Sequence, residues 1–418
     1  MIAEFQRSEI NGRISAPASK SAMQRIIAAA LLAEGTSRVS AVSMCEDSEA
    51  ALEIARALGA TVDNKAGKLL ITGGFKPVRN EFTCGESGLS ARMFTPVAAL
   101  HNSEIKINGK GSLLKRPFDM ITGPMGQLGV TVKTTGGYLP LTIKGPLAGG
   151  RVIADGSVSS QFITGLLMSL PRSSKDSELI VQNLVSKPYV DLTIKILGQF
   201  GINIINENYS RFLIPGRQKF NAISIGAEGD WSGGAFLLVL GAIGGYVEIS
   251  GLEIDSVQAD KAILDALRLA GAEISFGNNA IKVKKTSLSG FRFNISDCPD
   301  LAPPLAVLGL ACSGRTVIEG TERLLAKESN RAESIVKSLT AIGGNITAEG
   351  NRIIIDGGRP LAGGSADSFN DHRIAMALAT ASVICSGNVT VTGMESINKS
   401  YPGFIKDFRS LNGNVLVN

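Results

Sequence analysis

The chain has 418 residues, of which 44% are apolar and 19% charged, with a net charge of +5. That apolar content excludes a disordered chain. Aromatic residues at 5%, with a single tryptophan, exclude a stacking platform for single-stranded nucleic acid. A single core stops growing at about 250–300 residues, so two domains are expected.

The N-terminal segment MIAEFQRSEING is polar and has no signal or transit pattern, which gives a cytoplasmic expectation. A first helix is predicted to open at Ser19-Lys20-Ser21, with Ala22, Met23, Ile26, Ile27, Ala30 and Leu31 on one face. A second helix closes at Leu58-Gly59, and a strand pair ends in Lys68-Leu69-Leu70-Ile71. The same order returns. Helices open at Glu86-Ser87-Gly88 and Ser159-Ser160-Gln161, then at Gly229-Asp230-Trp231, Cys298-Pro299-Asp300 and Asp371-His372-Arg373. Second helices close at Leu128-Gly129, Phe200-Gly201, Ala270-Gly271, Ile342-Gly343 and, more weakly, Leu411-Asn412-Gly413. From Gly59 to Gly413 the steps are 70, 72, 70, 72 and 70 residues; from Lys20 to His372 they are 68, 72, 70, 70 and 72. The glycines suit the left-handed turn that ends a helix before a strand. Pro117, Pro188 and Pro402 are expected in the first turn of second helices. Six units of helix, strand, helix and strand pair make three per domain, with a seam near 226–230.

The five cysteines (45, 84, 298, 312 and 385) are scattered, with no C-x-x-C, as reduced thiols would be. With only His101 and His372 an all-histidine metal site is impossible, and no metal is expected. No P-loop, no well-placed G-x-G-x-x-G and no Ser-His-Asp arrangement is present, so no cofactor is expected. The apolar stretch 235–247 holds four glycines and is too short to span a bilayer, which takes about 20 residues. Neither a membrane nor a nucleic acid is expected as partner, because Lys/Arg runs are absent.

Six helix starts are six places where free N–H groups and a partial positive charge meet. If the repeats are symmetric, two facing domains aim several of these starts into one cleft that would hold anions. The cations gather there: Lys20 and Arg25 at the first helix, Arg92 a turn after Gly88, Arg373 beside His372, and Arg116, Lys187, Lys327 and Lys399 near second helices. Cations at helix starts oppose the dipole, so their recurrence points to a strongly anionic ligand, a phosphate or a carboxylate. Asp300 reads as a base or a helix cap, Glu328 as an acid or half of a surface pair, Lys20 as an acid or a phosphate clamp, and His372 as catalytic or structural.

Taken together, Pro17-Ala18-Ser19-Lys20-Ser21 with Arg25, Asp155-Gly156-Ser157-Val158-Ser159-Ser160-Gln161-Phe162, Ser186-Lys187-Pro188-Tyr189, Pro299-Asp300, Lys327-Glu328-Ser329, Asn370-Asp371-His372-Arg373 and Lys399-Ser400-Tyr401-Pro402 follow a family order. The chain resembles the EPSP synthase branch of the enolpyruvyl transferase family. The resemblance implies an α/β fold, the inverted α/β barrel of that family. It has two domains, each of three βαβαββ units with pseudo-threefold symmetry. The first strand falls in the C-terminal domain, so the expected domains are 1–18 plus 229–418, and 19–228, with the active site in the cleft. The implied reaction joins shikimate 3-phosphate and phosphoenolpyruvate by addition and elimination, in a monomer that closes on its substrates. Carried over, shikimate 3-phosphate meets Lys20, Ser21, Arg25, Ser159, Ser160, Gln161, Ser186, Tyr189, Asp300, Arg323 and Lys327. Phosphoenolpyruvate meets Lys20, Gly88, Arg92, Arg116, Gln161, Arg331, Arg373 and Lys399. Asp300, Glu328, Lys20 and His372 are the implied catalytic group.

Three positions depart from the family pattern. Glu86 and Leu89 replace the commoner Asn and Thr around Gly88, and Asn330 replaces Asp ahead of Arg331, which is therefore expected to be less firmly held. The sister transferase acting on UDP-N-acetylglucosamine has Lys-Asn where Lys20-Ser21 stands, and a loop cysteine that 113–116 lacks. A non-catalytic anion-binding or RNA-end-processing repeat protein has no need of Asp300 and Glu328 beside the cations.

Overall fold

The computed structural model describes residues 1–65 and 67–418. Among these are twelve α-helices: α1 (Lys20–Leu32), α2 (Glu46–Ala57), α3 (Gly88–Ala98), α4 (Thr122–Gln127), α5 (Ser160–Ser169), α6 (Lys187–Gln199), α7 (Trp231–Gly244), α8 (Ile263–Leu269), α9 (Ala302–Ala311), α10 (Arg331–Ala341), α11 (His372–Ala381) and α12 (Phe404–Ser410). They alternate in kind. The odd-numbered helices are apolar nearly all round and must be covered on every side, and in α3, α7 and α11 every residue is buried. Even-numbered helices such as α2 and α10 keep one polar face.

The chain divides into two compact units, Met1–Pro17 with Glu228–Asn418, and Ala18–Ala227. The second holds three four-stranded sheets of one pattern. In the first of them Ser224–Gly226 runs parallel to Thr36–Ser40, which pairs antiparallel with Lys68–Thr72, which pairs antiparallel with Thr61–Lys65. The others place Glu81–Thr83, Glu104–Asn108, Tyr138–Lys144 and Thr131–Thr135, and Arg151–Asp155, Ser177–Gln182, Arg211–Ile214 and Ile205–Glu207, in the same order.

The first unit repeats the pattern three times, with two strands supplied by the N-terminus. Ile10–Ser15 lies parallel to Gly245–Ser250 at the edge of one sheet. Ile2–Gln6 is the inner strand of another, between Val389–Thr392 and Asn414–Val417. Three sheets of one pattern in each of two units is the α/β architecture the repeat implied.

Every second helix closes in the expected left-handed turn. Gly59, Gly129, Gly201, Gly271 and Gly343 have φ between 81° and 111°, and Asn412 (φ 68°) takes that place after α12. The proline expectation needs correction. Pro188 lies in the first turn of α6, but Pro117 and Pro402 precede α4 and α12 by several residues. The segments 111–121 and 394–399 instead form short 3-10 turns, which place Arg116 and Lys399 outside the α-helices.

Candidate active site

In the unit Ala18–Ala227, three odd-numbered helices open on serine caps. Ser19 Oγ accepts from Ala22 N (3.3 Å), Ser87 Oγ from Ser90 N (3.2 Å) and Ser159 Oγ from Gln161 N (3.2 Å). Lys20 begins α1, and its Nζ donates to Asp47 Oδ2 at 3.0 Å. One turn on, Gln24 Nε2 donates to Ser87 Oγ (2.7 Å), Ser90 Oγ (2.8 Å) and Asp47 O (3.1 Å), which ties the start of α1 to that of α3.

Gly88 begins α3. A Cβ there would stand 2.7 Å from Arg116 Nη1, 3.4 Å from Gln161 Oε1 and 3.5 Å from Arg92 Nη1, so a side chain at 88 would displace the Arg116 guanidinium. Arg92 donates to Gln161 Oε1 (2.9 Å) and Pro117 O (3.2 Å) and lies 5.2 Å from the Phe118 ring centre. Gly88, Arg92, Arg116 and Gln161 therefore form one group, with Ser159 and Ser160 at the same helix start.

Arg25 is only 1% exposed. Its Nε donates to Thr193 Oγ1 (2.9 Å), Nη1 to Ser21 O (2.8 Å), and Nη2 to Thr164 Oγ1 (3.3 Å) and Tyr189 O (3.2 Å), so it binds α1, α5 and α6 together. Burial pulls its pKa down to about 10. Ser186 is buried and left-handed (φ 55°) ahead of α6, and its carbonyl accepts from Tyr189 N (3.1 Å).

The unit Met1–Pro17 with Glu228–Asn418 carries a second group. Asp300 sits in the turn Pro299–Leu301 before α9. Its Oδ1 accepts from Arg331 Nη1 (2.7 Å) and Lys327 Nζ (3.2 Å), and its Oδ2 from Arg373 Nη2 (3.1 Å). Burial works to raise its pKa. Arg373, Lys327 and Arg331 outweigh that and hold the carboxyl well below the usual carboxylate range. Burial also pulls Lys327 down, against the opposing pull of Asp300.

Arg331 is fully buried. Its Nε donates to Asp371 Oδ2 (2.9 Å), and its Nη2 donates to Asp371 Oδ1 (3.3 Å) and to Glu328. Burial favours loss of its proton, and Asp371, Glu328 and Asp300 overcome this. The expectation that Asn330 loosens Arg331 is thus corrected. Asn330 Oδ1 instead caps α10 by accepting from Glu333 N (3.5 Å), while three carboxylates fix the guanidinium.

Asp371 caps α11 through Arg373 N (3.0 Å). His372 is 1% exposed, with Nδ1 3.9 Å from Asp371 Oδ1, beyond hydrogen-bond distance. Lys399 Nζ donates to Asn370 O (2.8 Å) in the turn before α11, and Arg323 Nη1 to Ser296 O (3.0 Å).

Four participants escaped the sequence reading as site residues: Gln24, Asp47, Ser232 and Asp260. Ser232 Oγ accepts from Arg373 Nη2 (2.9 Å) and donates to Asp260. Burial first, and the Asp300 charge second, push the Asp260 carboxyl up to about 6. The one available signal was Ser232 just inside a helix-opening cluster; nothing local marks Asp260. Among the described residues, no three His, Cys, Asp or Glu side chains gather where they could hold a metal ion.

Each unit thus presents cations at helix starts, and one presents an ionised carboxylate clamped by three of them. Such groups bind phosphate and carboxylate anions and move protons beside them. A family model described as EPSP synthase (3-phosphoshikimate 1-carboxyvinyltransferase) matches residues 5–408. The chain is 40% identical to the 3-phosphoshikimate 1-carboxyvinyltransferase of Clostridium novyi (strain NT), with 97% of this chain and 96% of that protein covered. It is 39% identical to that of Clostridium kluyveri, with 98% and 96% covered. The solved structure of EPSP synthase from Acinetobacter baumannii is similar with a TM-score of 0.85 at 26% identity, both chains covered in full. Because the match spans every segment that builds the two groups, from Lys20 to Lys399, the chain belongs to the EPSP synthase (3-phosphoshikimate 1-carboxyvinyltransferase) family.

Proposed function

We infer that this chain transfers the enolpyruvyl group of phosphoenolpyruvate to the 5-hydroxyl of shikimate 3-phosphate and releases phosphate, a step toward chorismate and the aromatic amino acids. Family membership supports the reaction. The observation that carries it is the Asp300 carboxylate, kept ionised among Arg373, Lys327 and Arg331.

In the addition step the 5-hydroxyl oxygen bonds to C2 of phosphoenolpyruvate. The hydroxyl proton leaves, and the C3 methylene gains a proton to become a methyl. In the elimination step the methyl returns a proton and the bond from C2 to the phosphate oxygen breaks. Asp300 takes the hydroxyl proton. Its cations make it a weak base, and a substrate phosphate that draws Lys327 away raises its pKa into a working range. Lys20 and Glu328 exchange the C3 proton, with His372 supporting them from beside Asp371.

Shikimate 3-phosphate is held by Lys20, Ser21, Ser159, Ser160, Gln161, Ser186, Tyr189, Arg323 and Lys327. Phosphoenolpyruvate is held by Lys20, Gly88, Arg92, Arg116, Gln161, Arg373 and Lys399. Arg25 and Arg331, enclosed by protein groups, keep the shape of the two groups. The enzyme acts as a monomer, each group drawing its side chains from a single unit of one chain, and in the cytoplasm, the reducing setting that suits five free thiols. No helix among the described residues is long and apolar enough to cross a membrane.

Phosphate release that requires both substrates tests the reaction, and none from the wild type would overturn it. Asp300→Ala is expected to lose about 10²–10⁴-fold in turnover, and a loss below about 100-fold would overturn the assignment of the base.

A further inference from the structure

Glu86 places an anion two residues from Gly88, at a position where the family commonly carries asparagine. Its carboxylate is committed to the loop that carries Arg116. Oε2 accepts from Ser112 N (3.1 Å) and from Ser112 Oγ (2.9 Å). The Ser112 hydroxyl, with its proton given to Glu86, presents a lone pair to Arg116 Nη2 (3.3 Å). Arg116 Nη1 in turn occupies the space beside Gly88 that a Cβ would enter.

The backbone supports this relay. Lys110 N donates to Gly85 O (2.7 Å) and Cys84 N to Asn108 O (2.9 Å), so the turn before α3 and the loop after Glu104–Asn108 are stitched together. Gly111 between them is left-handed (φ 53°), and a Cβ on it would lie 2.5–2.7 Å from the Glu86 carboxyl atoms. The carboxylate therefore reaches Ser112 across a place that only glycine leaves open.

We propose that Glu86 is a positioning residue for Arg116, acting through the Ser112 hydroxyl, and that it sets how tightly the enzyme holds phosphoenolpyruvate. The proposal rests on the reading of Arg116 as a contact to that substrate. A carboxylate only accepts, so it fixes the direction of the serine proton and leaves the serine oxygen to accept from the guanidinium. A neutral amide at 86 has both donor and acceptor, leaves the hydroxyl free to turn, and removes the charge at the end of the relay.

The test is steady-state phosphate release by wild type, Glu86→Gln, Ser112→Ala and the double variant, with each substrate varied against saturating partner. The KM for phosphoenolpyruvate should rise at least about tenfold in either single variant, the size of one hydrogen bond to a charged group. The KM for shikimate 3-phosphate and kcat should stay within about twofold, and the double variant should be no worse than the worse single one, because both break one relay. An unchanged KM for phosphoenolpyruvate in an active enzyme would overturn the proposal alone. So would a fully additive double variant, or a parallel loss in both KM values with a collapsed melting temperature. Should Glu86→Gln fail to fold, Ser112→Ala reads the same relay. A wild type that releases no phosphate would sink the reading of function itself.

Discussion

Asp260 is a buried carboxylate that the reaction scheme leaves unused, and it gives the site a titration of its own. Its folded pKa of about 6 stands above the ordinary 3.8, chiefly through burial and then through Asp300. The folded protein therefore binds this proton more tightly than the unfolded chain does. The stability that proton supplies is present below the unfolded value and is lost as pH rises through about 6. Asn does not titrate, so the stability of wild type relative to Asp260→Asn should fall between about pH 4 and pH 6.5 and be flat above. Denaturant unfolding of both proteins across that range checks this, and a constant difference would refute it. The same residue shows what the sequence hides. Asp300 and Arg373 stand at helix openings and are legible there. Asp260 meets its partner Ser232 from 28 residues away, and Gln24 meets Ser87 from 63, distances that no local pattern encodes.

Helix openings and closings are where the chain was most readable, because both are fixed by backbone chemistry. A residue that must take positive φ is glycine or asparagine, and a helix start favours a side chain that accepts from its N–H groups. The repeat rests on those two needs and survives in all six units. The proline expectation failed for 117 and 402 because 3-10 turns precede α4 and α12, and a ring with fixed φ suits such turns equally well. Asn330 shows the same chemistry at a single element. It was expected to bear on Arg331 and instead caps α10. Asn330→Ala should therefore lower stability by about 1 kcal/mol, while Asn330→Asp, whose carboxylate also caps and suits the dipole, should stay within about 0.5 kcal/mol. Turnover should be unchanged in both, since Asp300, Glu328 and Asp371 hold Arg331. A tenfold loss of turnover in Asn330→Ala, measured by phosphate release, would show that the cap also fixes the guanidinium.

The chain passes between its two units at 17/18 and again at 227/228, which makes one unit continuous in sequence and the other not. The continuous unit, Ala18–Ala227, contains every strand of its own sheets, with Ser224–Gly226 returning to pair with Thr36–Ser40. The other depends on the first 17 residues. Without them, Val389–Thr392 and Asn414–Val417 lose the strand that joins them, Gly245–Ser250 loses its parallel neighbour, and Phe408 loses the ring of Phe5, 5.2 Å away. Buried strand edges left open in this way strand backbone donors and acceptors, and the apolar face of the inner strand goes with them. The fragment 18–227 is therefore expected to fold alone with a cooperative thermal transition, and 228–418 is not. Ile2 and Asn418 already exchange backbone hydrogen bonds, at 3.2 and 2.9 Å, so a short glycine–serine linker can join residue 418 to residue 1. The permuted fragment 228–418–linker–1–17 should regain a cooperative transition by circular dichroism and protected amides by hydrogen exchange. A cooperative transition in 228–418 without its N-terminal strands would show that the two borrowed strands complete the sheets without being needed to form them.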